Sequence, residues 1–130
     1  MPYFTRRDIK LYYEISGQGS PILLINGLGG DTRSWGAVTS IMKSSRIVVN
    51  FDMRCAGKSD KEIPPFTVSD IADDAVALMR NLGFERFDIA GHSMGGMVAI
   101  EIALKHPESA KTIYLISTAP SLAGPFPMPV

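Results

Sequence analysis

The sequence predicts an α/β fold with a mainly parallel sheet and flanking helices, and three observations carry that prediction. Continuous apolar runs recur along the chain at Ile22-Leu23-Leu24-Ile25, Ile47-Val48-Val49 and Ile113-Tyr114-Leu115-Ile116, as expected for parallel strands covered on both faces. Helical stretches separate these runs, so strand and helix alternate. Ahead of Pro21 the pattern is different: apolar and polar residues alternate at period two, which marks a strand with one wetter face.

Taken in order, Ile9, Leu11, Tyr13 and Ile15 alternate with Lys10, Tyr12 and Glu14, and the turn Ser16-Gly17-Gln18-Gly19-Ser20 ends that strand. Tyr3 to Arg6 is expected to pair with it as an N-terminal antiparallel edge hairpin. Past the first buried run comes a glycine-rich loop, then a helix containing Trp35 to Met42. The next helix starts at Thr67, where Thr67-Val68-Ser69-Asp70 resembles a capping box with Asp in place of Glu. Within it Ile71, Ala75, Leu78 and Leu82 fall at helical spacing, and Gly83 is a C-terminal stop. Phe87-Asp88-Ile89-Ala90 is a shorter buried run. The third helix runs from Met94 to about Lys105, ahead of Pro107, which disfavours helix in the residue before it. It is apolar nearly all round, through Met97, Val98, Ala99, Ile100, Ile102, Ala103 and Leu104, so it is expected to be buried. Residues 119–130 carry Pro120, Pro125, Pro127, Pro129 and Gly124 without a charge, the composition of a loop or linker.

Bulk composition narrows the partners. One domain is the prior for 130 residues. The 13 basic and 13 acidic residues are interspersed and balance to zero, which argues against nucleic acid or another polyanion. Cys55 stands alone, so no intrachain disulfide forms, and a reducing, cytoplasmic setting is expected. The N-terminus lacks a signal-peptide apolar core. No apolar run approaches the roughly 20 residues that span a bilayer, so no membrane partner is expected.

Chemistry concentrates in Gly91-His92-Ser93-Met94-Gly95-Gly96, a Gly-x-Ser-x-Gly set between an apolar strand and an apolar helix. That context marks the nucleophile elbow of a serine hydrolase. A serine hydroxyl is a weak nucleophile and must be exposed and relieved of its proton as it attacks. A sharp strand-to-helix turn exposes Ser93, and the helix behind it favours developing negative charge. The bland reading is a tight turn that needs glycines and happens to hold a serine. Asn26-Gly27-Leu28-Gly29-Gly30, after a buried strand, is placed to offer a backbone N–H to an oxyanion, together with the N–H of Met94. The competing reading is a dinucleotide loop with Asp52 as the ribose ligand, although Thr32 stands where its third glycine belongs.

The stretch Asp52-Met53-Arg54-Cys55-Ala56-Gly57-Lys58-Ser59 reads as structural, with Asp52 and Arg54 bonding the turn backbone and each other. Cys55 is expected to be a small filler rather than a reactive thiol beside Arg54 and Lys58. Neither histidine suits a general base. The ring of His92 is expected to point away from the exposed side of Ser93, and His106 sits at the far end of the following helix. No Asp or Glu lies between Ser109 and Val130 to orient a base. No His, Cys and carboxylate cluster suggests a metal.

Together, Asn26 to Gly30, Trp35, Asp52 to Ser59, Asp70 to Leu82, Gly91 to Gly96 and His106-Pro107-Glu108 resemble, in order, the N-terminal half of an α/β-hydrolase-fold enzyme. The similarity covers residues 3 to 118, and small esterases, lactonases similar to 3-oxoadipate enol-lactonase and cofactor-free haloperoxidase-like esterases resemble it most. The resemblance implies a cofactor-free hydrolase of esters or lactones, with Ser93 as nucleophile and the Leu28 and Met94 amides as the oxyanion hole. It also implies that residues 1–118 are the N-terminal part of the core and 119–130 a linker or the start of a cap. Where the family has His this chain has Asn26, and where it has Gly this chain has Cys55, at a turn that must then tolerate a Cβ. The family's later acid and histidine are absent, so the chain alone is expected to be inactive. A fragment of a full enzyme is the favoured explanation, ahead of one half of a split pair or a non-catalytic binding relative. Ile113 to Ile116 then forms an apolar edge inviting self-association or pairing with a C-terminal half.

Overall fold

The computed structural model describes residues 2–118, so the linker expectation for 119–130 lies outside the described residues. The elements are β1 (Tyr3–Arg6), β2 (Ile9–Gly17), β3 (Ser20–Ile25), a 3-10 turn (Thr32–Trp35), α1 (Gly36–Met42), β4 (Arg46–Phe51), α2 (Val68–Asn81), β5 (Phe87–His92), α3 (Met94–Lys105) and β6 (Ala110–Ile116). They build one six-stranded sheet in the order β1-β2-β4-β3-β5-β6. β1 pairs antiparallel with β2, and β2 antiparallel with β4. The remaining pairs, β3 with β4, β3 with β5 and β5 with β6, are parallel. This is the predicted α/β architecture with its antiparallel edge hairpin. No helix among the described residues is long and apolar enough to cross a membrane.

Alternate residues of the central strands feed two cores. Leu23, Ile25, Val49, Phe51 and Ile89 meet Ile71, Leu78, Val98 and Ile102 of α2 and α3 on one face. Ile22, Leu24, Val48 and Ala90 meet Trp35 and Met42 on the other, beneath α1. Strands sandwiched this way need side chains that are apolar in both directions, which is why β3 and β4 read as unbroken apolar runs.

Helix boundaries follow local chemistry. The capping box at α2 forms as the sequence suggests: Asp70 N–H donates to Thr67 Oγ1 at 3.2 Å and Thr67 N–H to Asp70 Oδ2 at 2.8 Å. Gly83, at φ 93°, takes the chain out of the helix. The helix expected to contain Trp35 begins one residue later. Trp35 closes the 3-10 turn, whose first amides are capped by Asp31 Oδ1 accepting from Arg33 N–H at 2.9 Å.

Three burial expectations need correction. α3 is not covered all round: Met97, Val98, Ala99 and Ile102 are buried, but Leu104 is 74% exposed, because its neighbours among the described residues lie on one side only. In β2 the alternation fails at both ends of its scale. Ile15 is exposed and Tyr12 is buried. The Tyr12 ring packs edge-on against Tyr3 with centroids 5.5 Å apart, and Lys58 Nζ sits 4.7 Å over it. Its hydroxyl donates to Glu14 at 2.7 Å, and that bond together with burial pushes the phenol up to about 12. Finally, β6 is an outer strand, and Tyr114, Leu115 and Ile116 are exposed on it. This agrees with the expected apolar edge, not with burial on both faces.

Neighbouring aspartates of α2 carry the ion pairs that lock the layers. Asp74 is 1% exposed, and it accepts from Arg6 Nη1 at 2.8 Å and from Arg54 Nε and Nη2 at 2.7 and 3.0 Å. It thereby ties β1 and the segment after β4 to α2. Asp73 accepts from Lys105 Nζ at 2.7 Å and His106 Nε2 at 2.8 Å, clamping α2 to the end of α3. Burial pushes the Asp73 carboxyl upward, but the bonds from Lys105 and His106 outweigh it and hold the group below its ordinary value of 3.8.

Removing Asp74 leaves two guanidiniums without their counter-charge, so Asp74→Ala is expected to cost about 3–5 kcal/mol, read from chemical denaturation. A lowered folded value means that ionised Asp73 stabilises the fold fully above 3.8 and that this support is lost as pH falls through the lower folded value. The stability difference between the native protein and Asp73→Asn is therefore expected to shrink towards zero on acidification below that window, measured as denaturation midpoints across pH.

Candidate active site

The site sits where the parallel strands end. β5 runs directly into α3, and Ser93 occupies the junction with φ 56° and ψ −121°, a conformation that non-glycine residues rarely hold. Ser93 N–H donates to the Ile116 carbonyl at 3.0 Å, and its own carbonyl accepts from Gly96 N–H at 2.9 Å. So tight a turn leaves no room for side chains on its flanks. A Cβ on Gly91 would lie 2.2 Å from the Gly95 carbonyl oxygen, and one on Gly95 would lie 2.3 Å from that of Ile25. Both elbow glycines are there because other backbone occupies the space.

That contact brings the glycine-rich loop against the serine. A Cβ on Gly27 would sit 3.2 Å from Ser93 Cβ. Leu28 follows, its side chain 82% exposed, and Gly29 turns the loop at φ 77°. Neither Leu28 N–H nor Met94 N–H enters a turn, loop or cap hydrogen bond among the described residues. Ser93 opens on a cavity of about 400 Å³ whose walls include Leu28, Trp35, Val38, His92 and Ile116. Leu28 also borders a second cavity of about 440 Å³, lined by Met53, Phe66, Val68, Ile71 and Met94. The structure thus brings Ser93, Leu28 and Met94 into one neighbourhood.

The histidines divide. His106 is engaged with Asp73 at the far end of α3, roughly 20 Å of helix from Ser93. His92 departs from expectation. It is exposed and lines the Ser93 cavity, its Nδ1 3.3 Å from where a Gly27 Cβ would be. Alternation along β5 explains this: Gly91 faces α3, so His92 faces the opposite side, where the cavity lies. Its ring makes no hydrogen bond to Ser93 among the described residues.

Two buried polar groups do the structural work around the site. Asp52 is 1% exposed, and its carboxylate accepts from Thr32 N–H and from Lys58 N–H, both at 2.8 Å. With each oxygen engaged inside the protein, Asp52 is not free to hold a ribose, so the dinucleotide reading loses its acid. The turn predicts an Arg54–Asp52 bond, but Arg54 bonds Asp74 instead. Asp74 carries no local signal of this role, because its position beside Asp73 reads as a solvated helix face. Asn26, also buried, donates from Nδ2 to the Phe51 carbonyl at 3.0 Å, reaching across to β4 rather than bonding within its own loop.

Comparison with known proteins agrees with this geometry. A family model for the alpha/beta hydrolase fold matches residues 20–129. A putative carbamate hydrolase, RutD, of Azorhizobium caulinodans is 33% identical over 117 residues, covering 90% of this chain and 44% of that protein. Est816, an N-acyl homoserine lactone degrading enzyme, superposes with a TM-score of 0.87 at 29% identity, over 90% of this chain and 45% of its own. The enol-lactonase from Burkholderia xenovorans LB400 gives 0.86 at 29% identity, over 91% and 47%. The chain spans less than half the length of these relatives.

Cys55 supplies a test of local strain. It is exposed rather than a packed filler, and it sits at φ 68°, a region where a Cβ costs about 1 kcal/mol. Its thiol donates to the Lys61 carbonyl at 3.4 Å. Cys55→Gly is expected to leave the fold intact and raise stability by no more than about 0.5 kcal/mol, because the relief of strain is largely offset by the added freedom of the unfolded chain, measured by thermal unfolding.

Proposed function

This chain belongs to the α/β-hydrolase-fold family, and on that premise we propose that it carries the nucleophile and oxyanion hole of a serine hydrolase acting on an ester, a lactone or a related carbonyl such as a carbamate. The observation that carries the reading is the strained backbone of Ser93 at the β5–α3 junction, with the Gly27-Leu28 turn packed against it. Ser93 Oγ attacks the carbonyl carbon, and the N–H groups of Leu28 and Met94 hold the oxyanion that forms. The intermediate collapses to an acyl-enzyme as the alcohol leaves with a proton, and water then releases the acid and restores the serine. The carbamate hydrolase and lactonases among its relatives support a carbonyl substrate.

The proton acceptor is the missing part. His106 is held by Asp73, and His92 has no bond to Ser93. On this reading the base and its orienting acid come from a segment that docks on the open edge of β6, where Tyr114, Leu115 and Ile116 lie exposed. That segment belongs to the same polypeptide or to a second one, and without it copies of this chain associate through the same edge. The exposed Cys55 fits a reducing compartment, and the cytoplasm is the proposed location. A second reading, a non-catalytic binding module, is favoured by one observation: the described cavity holds the serine without a bonded base.

A fluorophosphonate probe separates the two. The full gene product is expected to label, Ser93→Ala to lose all label, and Ser93→Ala to lower turnover of a 4-nitrophenyl ester by about 10⁶-fold. A full gene product that binds the ester but neither labels nor turns it over supports the binding module instead.

A further inference from the structure

We propose that the end of β4 is what holds the oxyanion loop in register with Ser93, and that Asn26 and Asp52 are the positioning residues; this inference rests on the serine-hydrolase reading. The loop needs such support. Between β3 and the 3-10 turn the chain has no regular structure, and it contains Gly27, Gly29 and Gly30. Its one internal backbone bond runs from Gly30 N–H to the Gly27 carbonyl at 3.1 Å. A segment so rich in glycine has little stiffness of its own, whereas an oxyanion donor acts only if it is held in place before charge develops.

The loop is pinned at both ends to consecutive residues of one strand end. At its start, Asn26 Nδ2 donates to the Phe51 carbonyl at 3.0 Å, and Asn26 is 1% exposed. At its finish, Thr32 N–H donates to Asp52 Oδ1 at 2.8 Å. The second carboxylate oxygen is bound in turn by Lys58 N–H at 2.8 Å. Gly57 packs so closely that a Cβ there would lie 2.1 Å from Asp52 Oδ2, so only glycine leaves the carboxylate its place. Residues 27–31 therefore hang between two fixed points, and that span holds Gly27, where a Cβ would lie 3.2 Å from Ser93 Cβ, and the proposed donor Leu28. Two amides require two acceptor oxygens, which a carboxylate provides and a carboxamide does not. Charge-assisted bonds of this kind are also the stronger ones. No cation contributes to this arrangement through a hydrogen bond among the described residues.

Ser59 is the internal control. It is equally buried beside Asp52, donating from Oγ to the Asp52 carbonyl at 2.6 Å and accepting from Tyr12 N–H at 2.9 Å, yet it makes no bond to the loop. Ester hydrolysis by the full gene product and by Asn26→Asp, Asp52→Asn and Ser59→Ala tests the proposal, with thermal unfolding of each. Asn26→Asp turns a carboxylate oxygen on the Phe51 carbonyl, and Asp52→Asn sets an NH₂ against one amide. Both are expected to lower kcat about 10²-fold while KM changes less than about 3-fold, whereas Ser59→Ala lowers Tm and leaves kcat unchanged. Thr32→Pro removes the amide that reaches Asp52 and leaves both anchor side chains, Asn26 and Asp52, in place. It falls at the first helical position after an extended Asp31 at φ −140° and ψ −172°, where proline is accommodated, so it keeps the test open should the other variants unfold. It is expected to show the same loss of kcat. The proposal is overturned if the loop-anchor variants match Ser59→Ala in kcat, or if they raise KM at constant kcat. If Ser93→Ala hydrolyses the ester as well as the unmodified protein, the hydrolase reading fails and takes this inference with it.

Discussion

Backbone packed directly on backbone, where Gly95 of α3 meets the carbonyls of Ile25 and Asn26 at the end of β3, is the constraint on which the rest of the arrangement depends. A side chain at Gly95 would push α3 away from the sheet. With none there, the first turn of α3 sits down on β3, and Gly91 passes beneath the Gly95 carbonyl. The chain then has only one way to connect β5 to α3, through a residue at positive φ, and that residue is Ser93. The same contact sets the distance between the serine and the loop leaving β3. It also fixes which side of α3 faces the core, so Val98 and Ile102 are covered and Leu104 is not.

Two buried carboxylates stabilise the segments around this contact in opposite ways. Asp74 is neutralised by guanidiniums from β1 and from the turn after β4, and so joins distant parts of the chain to α2. Asp52 is solvated by backbone amides alone and organises the two loops that flank the sheet end. Desolvating either charge is costly unless every oxygen finds a donor, and in both cases each oxygen does. Arg54 is shared between the problems: it leaves the turn that Asp52 organises, crosses the face of Phe66 at 5.7 Å and ends on Asp74. The wall of the second cavity is therefore held by the Arg54–Asp74 ion pair.

Coverage of the sheet is uneven, and the cavity lies on the less covered side. α2 and α3 bury their face thoroughly, while α1 is seven residues long with no fully buried member. Val38 of α1, Ile116 of β6 and His92 of β5 consequently border open space beside Ser93. The proposed role of Ser93 requires that exposure. The same openness leaves apolar area on both faces of β6, the feature from which an additional strand and its catalytic groups are proposed to dock.

Elements governed by near neighbours in sequence were legible without the fold. The capping box at Thr67, the stop at Gly83, the apolar runs of β3 and β4, and the strand-elbow-helix order around Ser93 are set by periods of two and 3.6 and by the backbone limits of glycine. The candidate site was legible to the same depth: a serine on a tight turn and a glycine loop after a strand. The orientation of His92, the partner of Arg54, the exposure of Cys55, Ile15 and Leu104, and the anchoring of Asn26 on β4 were not, because each depends on a residue or a gap brought near by chain packing. Asp74, for example, meets a guanidinium 68 residues away, and nothing in the Asp73-Asp74 pair distinguishes the buried carboxylate from the clamped one. The sequence by itself determined which segments are strands and helices and where a serine must emerge on a tight turn, since those are local steric consequences. Only the tertiary structure decided which charges pair, which apolar residues stay uncovered and how the loop is held beside the serine, since those follow from long-range packing that no local pattern encodes.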